Sequence, residues 1–416
     1  MEKQNKPKLW FSSFTDSWEQ RKLSDFGRAT GGTSIESEFS ENGIYKVISI
    51  GSYSEDNIYR DQGIRALDSD KTKDRVLNRG DLTMILNDKT ASGNIIGRVL
   101  LIEESGVYVY NQRTERIEVD HEKYDSAFIY EMLNAPAIRD KIIKQSQGNT
   151  QIYVNWPAVS MTDYYIPRLD EQKKIGEYFL AIDNLVSLHQ RKCDQFELVK
   201  KAMLQKMFPK EGESVPEIRF TGFTDPWEQR KLGKIGSTYT GLSGKTKEDF
   251  GHGEGKFVTY MNVFLNPVAD LGRTESVEID KSQNEVQYGD VFFTTSSETP
   301  EEVGMSSVWL ENSVNTYLNS FCFGYRPTED IDPYYLAYML RSDSIRSKIV
   351  YLAQGISRYN ISKNKVMEID IPLPDKEEQK QIGKYFKDLD NFITLHQRKC
   401  NELKELKKGL LQQMFI

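Results

Sequence analysis

Residues 14–23 read FTDSWEQRKL, and residues 223–232 read FTDPWEQRKL, so nine of ten letters return 209 residues later. Three further pairs keep the same order along the chain, each 207 residues apart: EQKKIGEYF at 171–179 with EQKQIGKYF at 378–386, LHQRKC at 188–193 with LHQRKC at 395–400, and LQKMF at 204–208 with LQQMF at 411–415. Four collinear matches of this length indicate an internal duplication. The repeated Trp18 and Trp227 are predicted to be packing anchors.

The two repeats agree at their ends and differ in their middles. Residues 26–124 and 235–331 barely resemble each other. Common ends with divergent middles predict one scaffold that carries two different readers, and neutral drift of the middles is the alternative. Each middle is predicted to be mixed α/β and to close with a helix. The predicted strands cover 79–87, 107–110, 288–295 and 321–325, and the closing helices cover 126–146 and 333–353.

Each repeat ends in a stretch with a seven-residue apolar period. The repeating positions are Ile175, Ile182, His189, Phe196 and Met203, and then Ile382, Leu389, His396, Leu403 and Leu410. This spacing is typical of helices that pair in a coiled coil, although burial of each seam on a globular core would need the same pattern. Two matching seams in one chain favour pairing with each other.

These patterns predict an α/β fold in which two mixed α/β domains are joined by two long helices. The helices are predicted to form an antiparallel coiled coil, and the duplication to give pseudo-two-fold symmetry. The predicted segments are a first domain at 1–166, a central helix at 167–210, a second domain at 211–373 and a final helix at 374–416.

Composition leaves a nucleic-acid partner open. The 416 residues carry a net charge of -7, which at first argues against binding to nucleic acid. Residues 331–366, however, hold six basic and two acidic residues, and they could form either an anion-binding face or an ordinary solvated surface. The polar N-terminus and the lack of long apolar runs predict a cytoplasmic protein, and three distant cysteines indicate neither disulfides nor a zinc site.

Catalytic signatures are missing from the sequence. The segment Asp332–Tyr335 reads DPYY, which is better explained as a helix N-cap followed by proline at the first helical position than as a methyltransferase loop. The segment 244–246 reads GKT, but position 239 is tyrosine where a phosphate-binding loop needs glycine. The four histidines have no neighbour at metal-ligand spacing. The chain is therefore predicted not to be an enzyme and to bind no metal.

The segments PEIRFTGFTDPWEQRKL at 216–232 and IPLPDKEEQKQI at 371–382 resemble specificity subunits of type I restriction–modification systems. The resemblance implies that 1–166 and 211–373 are target recognition domains, each reading half of a bipartite site in double-stranded DNA. It implies that the helices set the spacing and dock two modification subunits that methylate adenine, and that restriction subunits join them. S-adenosylmethionine, ATP and magnesium would belong to those partners, so this chain would bind no cofactor.

Candidate DNA-binding residues are the polar residues at the ends of predicted strands and helices, because base edges and phosphates are bound by such side chains. In the first domain they are Asn87, Asp88, Lys89, Thr90, Asn111, Gln112, Arg113, Asn149, Thr150 and Gln151. In the second domain they are Thr294, Thr295, Ser296, Ser297, Asn319, Ser357, Arg358, Asn360 and Lys363.

Two other classes of function stay open at this point. An enzyme with unfamiliar motifs would bind S-adenosylmethionine as an isolated chain, whereas a recognition subunit would not. A coiled-coil scaffold with no role in DNA binding would confer no sequence preference on any complex that it joins.

Overall fold

A computed structural model describes residues 6–88, 93–149 and 151–415. The chain divides into two compact units. The first unit combines residues 1–190 with 398–416, and the second is the continuous stretch 191–397. In the described residues, no helix combines the length and the apolar character that crossing a membrane requires.

The first half of the chain alternates short strands with helices. Its strands are β1 (Glu19–Lys22), β2 (Gly27–Gly31), β3 (Tyr45–Ile48), β4 (Arg65–Ala66), β5 (Leu82–Ile85), β6 (Asn87–Asp88), β7 (Val99–Leu101), β8 (Tyr108–Tyr110), β9 (Thr114–Val119), β10 (Ile152–Tyr153) and β11 (Asp163–Ile166). Its helices are α1 (Asp70–Lys73), α2 (Ser126–Asn134), α3 (Pro136–Ile143), α4 (Trp156–Ser160) and α5 (Leu169–Lys206).

The second half follows the same plan. Its strands are β12 (Glu228–Lys231), β13 (Gly236–Thr240), β14 (Phe250–Val258), β15 (Thr274–Val277), β16 (Val291–Thr294), β17 (Ser296–Ser297), β18 (Ser306–Val308), β19 (Thr316–Leu318), β20 (Cys322–Pro327), β21 (Tyr359–Asn360) and β22 (Asp370–Leu373). Its helices are α6 (Tyr260–Leu265), α7 (Pro333–Met339), α8 (Asp343–Tyr351), α9 (Lys363–Val366) and α10 (Lys376–Met414).

The sheets of the two units correspond strand by strand. In the first unit an antiparallel sheet has the order β2-β9-β5-β7, and a smaller sheet has the order β4-β3-β8 with β3 and β8 parallel. In the second unit the matching orders are β13-β20-β16-β18 and β15-β14-β19, with β14 and β19 parallel. The predicted duplication therefore extends through the divergent middles, which share one topology despite their different sequences.

A repeated Gly-Asp pair, at 80–81 and 289–290, marks one reason why both middles fold alike. Asp81 accepts from the Asn78 backbone N–H at 2.7 Å and pairs with Arg116 at 2.8 Å. Asp290 accepts from the Gln287 N–H at 2.8 Å and pairs with Arg326 at 2.7 Å. Each carboxylate thus closes the turn before a central strand and neutralises an arginine on the neighbouring strand.

The closing helix of each middle begins as predicted but is broken in two. Asp125 and Asp332 cap their helices, each accepting from the N–H three residues later at 2.8 Å. The single helices expected over 126–146 and 333–353 are wrong. Pro136 starts α3 because proline cannot continue the hydrogen-bond ladder of α2. In the second unit the Ser342 hydroxyl donates to the Met339 carbonyl at 2.7 Å and ends the first helix locally.

The long helices α5 and α10 are in contact and run antiparallel. In the first unit Cys400 Sγ lies 3.7 Å from Gln190 Oε1, and Lys407 binds Asp183 at 2.7 Å. Moving seven residues forward along α10 therefore moves the contact seven residues back along α5, so the helices run in opposite directions. In the second unit Cys193 Sγ lies 3.5 Å from Gln397 Oε1, and Lys200 binds Asp390. The predicted antiparallel helix pair is confirmed.

Each helix also contributes to a globular core, which was the alternative reading of the seven-residue period. Ile175, Phe179 and Ile182 of α5 belong to the main core of the first unit, and Ile382, Phe386 and Leu389 of α10 to that of the second. The beginning of each helix therefore packs on its own α/β domain. Both interpretations of the seven-residue period, pairing of the helices and burial on a globular core, are correct for different parts of the helices.

The predicted role of the two tryptophans as packing anchors is confirmed. Trp18 is 4% exposed, and its ring contacts Phe128 and Phe415 with centroid distances of 6.0 and 6.5 Å. Trp227 is 3% exposed and contacts Tyr335 and Phe208 at 6.1 and 6.3 Å. In each unit, an aromatic residue just past the end of a long helix thus completes the core beside the repeated tryptophan.

Candidate nucleic-acid interface

The described residues of a hairpin loop, 147–149 and 151–153, bring several candidates of the first unit together. Gln147 and Tyr153 exchange backbone hydrogen bonds of 2.9 and 3.0 Å that close the loop. Strand β10 pairs with β6, so Asn87 lies opposite Tyr153 and Asp88 opposite Ile152. Gly148 has a φ of 100°, and a Cβ there would lie 2.1 Å from the Gln151 carbonyl oxygen, so the loop requires glycine. Asn149 and Gln151 are exposed in this loop.

The turn between β8 and β9 adds two more exposed candidates to the same region. The Arg113 carbonyl accepts from the Leu86 N–H at 2.9 Å, which fixes the turn beside the end of β5. In the amide orientation that satisfies both groups, the Asn87 oxygen accepts from Arg113 Nη1 at 3.1 Å. Gln112 is exposed and donates to Glu36 at 3.2 Å.

The second unit repeats this arrangement with other side chains. Gln354 and Asn360 exchange two backbone hydrogen bonds of 2.9 Å, and β21 pairs with β17 so that Ser296 lies opposite Asn360. Gly355 has a φ of 148°, and a Cβ there would lie 2.0 Å from the Arg358 carbonyl oxygen. Ser357 and Arg358 are exposed in the loop.

The turn before β20 corresponds to the Arg113 turn of the first unit. The Phe321 carbonyl accepts from the Thr295 N–H at 3.0 Å and from its hydroxyl at 2.9 Å. Lys363 follows the loop as the first residue of α9, where it is exposed.

Several candidates instead hold the fold together. Asn111 and Asn319 are each 6% exposed, with Asn111 accepting from the Ile35 N–H at 3.1 Å and Asn319 donating to the Val258 carbonyl at 3.0 Å. Asp88 accepts from the Ile95 N–H at 3.1 Å, Thr294 accepts from the Met305 N–H at 3.0 Å, and Ser297 donates to Glu302 at 3.1 Å. These five side chains are bound within the protein. The other described candidates stay predictions, and Lys89, Thr90 and Thr150 lie outside the described residues.

Three of the six basic side chains in the segment 331–366 bind backbone carbonyls of the protein itself. Arg341 donates to the carbonyls of Val263, Phe264 and Asn266, and Arg346 donates to those of Gly304, Glu301 and Val303. Burial lowers the pKa of Arg341 to about 9 and that of Arg346 to about 10. Lys348 donates to the Asp370 carbonyl at 2.8 Å. Of the six basic residues, Arg358, Lys363 and Lys365 are exposed, so an anion-binding face in this segment would depend on these three.

Matching positions of the two units identify two exposed residues that the choice of polar side chains did not include. With the loops superimposed by sequence, Asn149 corresponds to Ile356, and Arg113 corresponds to Phe321 through the shared hydrogen bond of its turn. Ile356 is 96% exposed and Phe321 58% exposed. The repeated Gln-Gly pair at 147–148 and 354–355 was the available signal, because it aligns the loops residue by residue.

Known proteins match both halves of the chain. The family described as "Type I restriction modification DNA specificity domain" matches residues 15–198 and again 224–405. The type I restriction enzyme MjaVIII specificity subunit of Methanocaldococcus jannaschii is 21% identical over 373 residues, which cover 82% of this chain and 79% of that protein. The putative MjaX specificity subunit of the same organism is 27% identical over 259 residues, which cover 59% of this chain and 56% of that protein.

Solved structures share the fold. The crystal structure of a type I restriction–modification S subunit from M. genitalium superimposes with a TM-score of 0.59 at 13% identity and covers 99% of both chains. A structure reported for complex assembly and conformational transition of the type I R-M system gives a TM-score of 0.53 at 15% identity and covers 95% of this chain and 97% of the other.

Two copies of one α/β domain, each with an exposed loop on a shared scaffold, together with two long antiparallel helices, define a duplicated two-domain recognition protein. The two family matches together span most of the chain. The chain belongs to the type I restriction–modification DNA specificity family, as a specificity subunit.

Proposed function

We propose that the chain is the non-catalytic subunit that selects the DNA sequence in a type I restriction–modification complex, with each α/β domain reading one half of a bipartite target. One observation carries the proposal: the two units share their strand pairing, whereas the exposed positions of their loops differ. A scaffold that is kept while its presented side chains change is what two readers of unrelated half-sites require.

The exposed side chains suit the two tasks of a DNA-reading surface. Amides and guanidinium groups, such as those of Asn149, Gln151 and Arg358, form paired hydrogen bonds with base edges in the major groove. Lysines such as Lys363 bind phosphates and fix the register without reading sequence. The helices α5 and α10 would set the unread gap and dock two modification subunits that methylate adenine.

Chemistry in this proposal belongs to the partner subunits. Within residues 6–88, 93–149 and 151–415, no three His, Cys, Asp or Glu side chains come together as metal ligands would. The modification subunits would bind S-adenosylmethionine and extrude the target adenine from the duplex. Restriction subunits would use ATP and magnesium, and the assembly would work in the cytoplasm.

The decisive experiment maps methylated adenines in DNA from cells that carry the chain with its modification partner. Replacing residues 26–124 by the matching segment of a relative should change one half-site and leave the other and the gap unchanged. Changing the length of the helical segment 167–210 should change the gap alone. Simultaneous change of both half-sites in the first variant would reject the two-reader arrangement.

An enzymatic role is tested on the purified chain alone. The proposal expects no binding of S-adenosylmethionine and no transfer of methyl groups to DNA. Transfer by the isolated chain would reject the adaptor role, and a complex with no sequence preference would reject DNA reading altogether.

A further inference from the structure

The two recognition surfaces differ in polarity at two matching positions. The hairpin loop of the first unit carries Asn149, whereas that of the second carries Ile356, which is 96% exposed. The neighbouring turn carries Arg113 in the first unit and Phe321, 58% exposed, in the second. The second surface therefore presents two large apolar side chains where the first presents hydrogen-bonding groups.

One residue connects the two apolar positions. Thr295 donates through its N–H and its hydroxyl to the Phe321 carbonyl, and its own carbonyl accepts from the Ile361 N–H at 3.0 Å. Ile361 directly follows the strand that closes the hairpin loop. Thr295 therefore hydrogen-bonds both to the turn that carries Phe321 and to the residue that follows the hairpin of Ile356.

Three basic side chains lie in the segment that contains and follows the loop of Ile356. Arg358 lies two residues after Ile356 in the same loop, and Lys363 and Lys365 lie on α9, which follows the loop; all three are exposed. Exposed apolar side chains together with these basic groups fit a polyanion that also offers apolar groups. The major groove of DNA is such a surface, since thymine displays its 5-methyl group there among phosphate-lined edges.

We propose that Ile356 and Phe321 read thymine 5-methyl groups, so that the half-site of the second unit contains at least one A·T pair recognised by its methyl group. This inference rests on the proposed DNA-reading function. The two lysines hold the duplex against the surface, and the apolar pair discriminates by burying the methyl group. At the matching positions of the first unit, Arg113 and Asn149 suit guanine and adenine instead.

The test uses the chain in complex with its modification partner and the target obtained from the methylation map. Each thymine of the second half-site is replaced singly by deoxyuridine, which removes only the methyl group. Burial of one methyl group corresponds to a loss of about fourfold in affinity at a contacted position. Ile356→Ala or Phe321→Ala should abolish this loss at the position that each side chain reads.

Matched controls come from the other unit. Deoxyuridine in the first half-site should give the same affinity ratio in Ile356→Ala as in the unsubstituted complex. Asn149→Ala should alter discrimination in the first half-site alone. Because Ile356 is almost fully exposed, its truncation leaves the core intact.

Four results would overturn the inference while leaving the proposed function standing. The second half-site could lack an A·T pair; deoxyuridine could leave affinity unchanged at every position; or both alanine variants could keep the full deoxyuridine effect. A loss of binding to the modification partner without any deoxyuridine effect would assign the apolar pair to a protein interface and would likewise overturn it. Equal affinity of the unsubstituted complex for target and scrambled DNA would instead reject the proposed function itself.

Discussion

The first and second units place different charges at the same buried point beside a long helix. In the first unit Lys407 binds both Glu131 and Asp183, at 2.8 and 2.7 Å, and the Glu131 carboxylate is fully buried. In the second unit the position of Glu131 is held by Tyr338, whose hydroxyl donates to Asp390 at 2.7 Å beside Lys200. At this point, therefore, the first unit holds one buried acid more than the second.

A second pair of matching buried positions also differs in its charged groups. Glu378 is fully buried and accepts from Arg219 at 2.7 and 2.8 Å and from Trp227 Nε1 at 3.1 Å. The matching acid of the first unit is Glu171, and the position of Arg219 is held there by Trp10. Burial raises the pKa of Glu171, which is 3% exposed. At this point the acid is kept and its basic partner differs, whereas at the first point the lysine is kept and Glu131 is replaced by Tyr338.

The largest effect is expected from Arg219→Ala. It would leave the Glu378 carboxylate buried without its bidentate partner, so the second unit should lose about 3 to 5 kcal/mol of stability. Denaturant unfolding gives the magnitude, and hydrogen exchange shows whether residues 191–397 are the ones that open.

Trp10→Ala is the matched control, because Trp10 is 45% exposed and the change should cost less than about 1 kcal/mol. Equal destabilisation by both variants would show that charge compensation does not distinguish the units. Trp10→Arg should lower the pKa of Glu171 toward its ordinary range.

A difference in pH dependence should follow from Glu131. Burial raises the pKa of Glu131 to about 8, Asp183 acts in the same direction, and Lys407 opposes both. Because the folded pKa lies above the ordinary value of 4.5, the folded state keeps a proton that the unfolded chain releases. Stability of the first unit should therefore fall as the pH rises from about 4.5 to about 8, by several kcal/mol in total.

Exchanging the two residues tests this dependence. Glu131→Tyr should flatten the pH profile of the first unit, and Tyr338→Glu should introduce a falling profile in the second. Urea unfolding at pH 5, 6.5 and 8, with hydrogen exchange resolving the units, measures both. A first unit that keeps its slope after Glu131→Tyr would assign the pH dependence to other groups.

A smaller effect is expected at the loops. Arg358→Ala should weaken binding to the cognate site by about 1 to 3 kcal/mol and relax one position of the second half-site, and Gln151→Ala should relax one position of the first. Binding assays on single-base variants of the target separate the two. Relaxation of the same half-site by both variants would contradict the division of labour.

The smallest change concerns Lys363. If its ammonium group binds phosphate, Lys363→Ala should weaken all sequences alike and reduce the salt dependence of binding by about one ion. Trp156 occupies the matching position in the first unit and serves as control, since Trp156→Ala should leave the salt dependence unchanged. An unchanged slope for Lys363→Ala would place the phosphate contacts elsewhere.

The duplication, the helix pair and the Asp332 cap were predictable because each leaves a pattern in the sequence: repeated segments, a seven-residue apolar period, and an Asp-Pro pair at a helix start. The buried charges were not, since Glu131 meets Lys407 across 276 positions. Counting charges likewise suggested a basic face that includes Arg341, whose guanidinium group in fact binds backbone carbonyls. Asn111 and Asn319 match between the repeats, and both side chains are hydrogen-bonded inside the fold, which the position of a polar residue at a strand end does not reveal.

The position of Phe415 has a consequence for how the protein is made. Its ring packs on Trp18, Phe128 and Phe179 in the first unit, which also includes residues 398–416, whereas the second unit is the continuous stretch 191–397. Domains generally fold in the order in which the ribosome delivers them. Here all residues of the second unit are synthesised before Phe415, which belongs to the core of the first unit. The part of the chain that is synthesised first is therefore completed last.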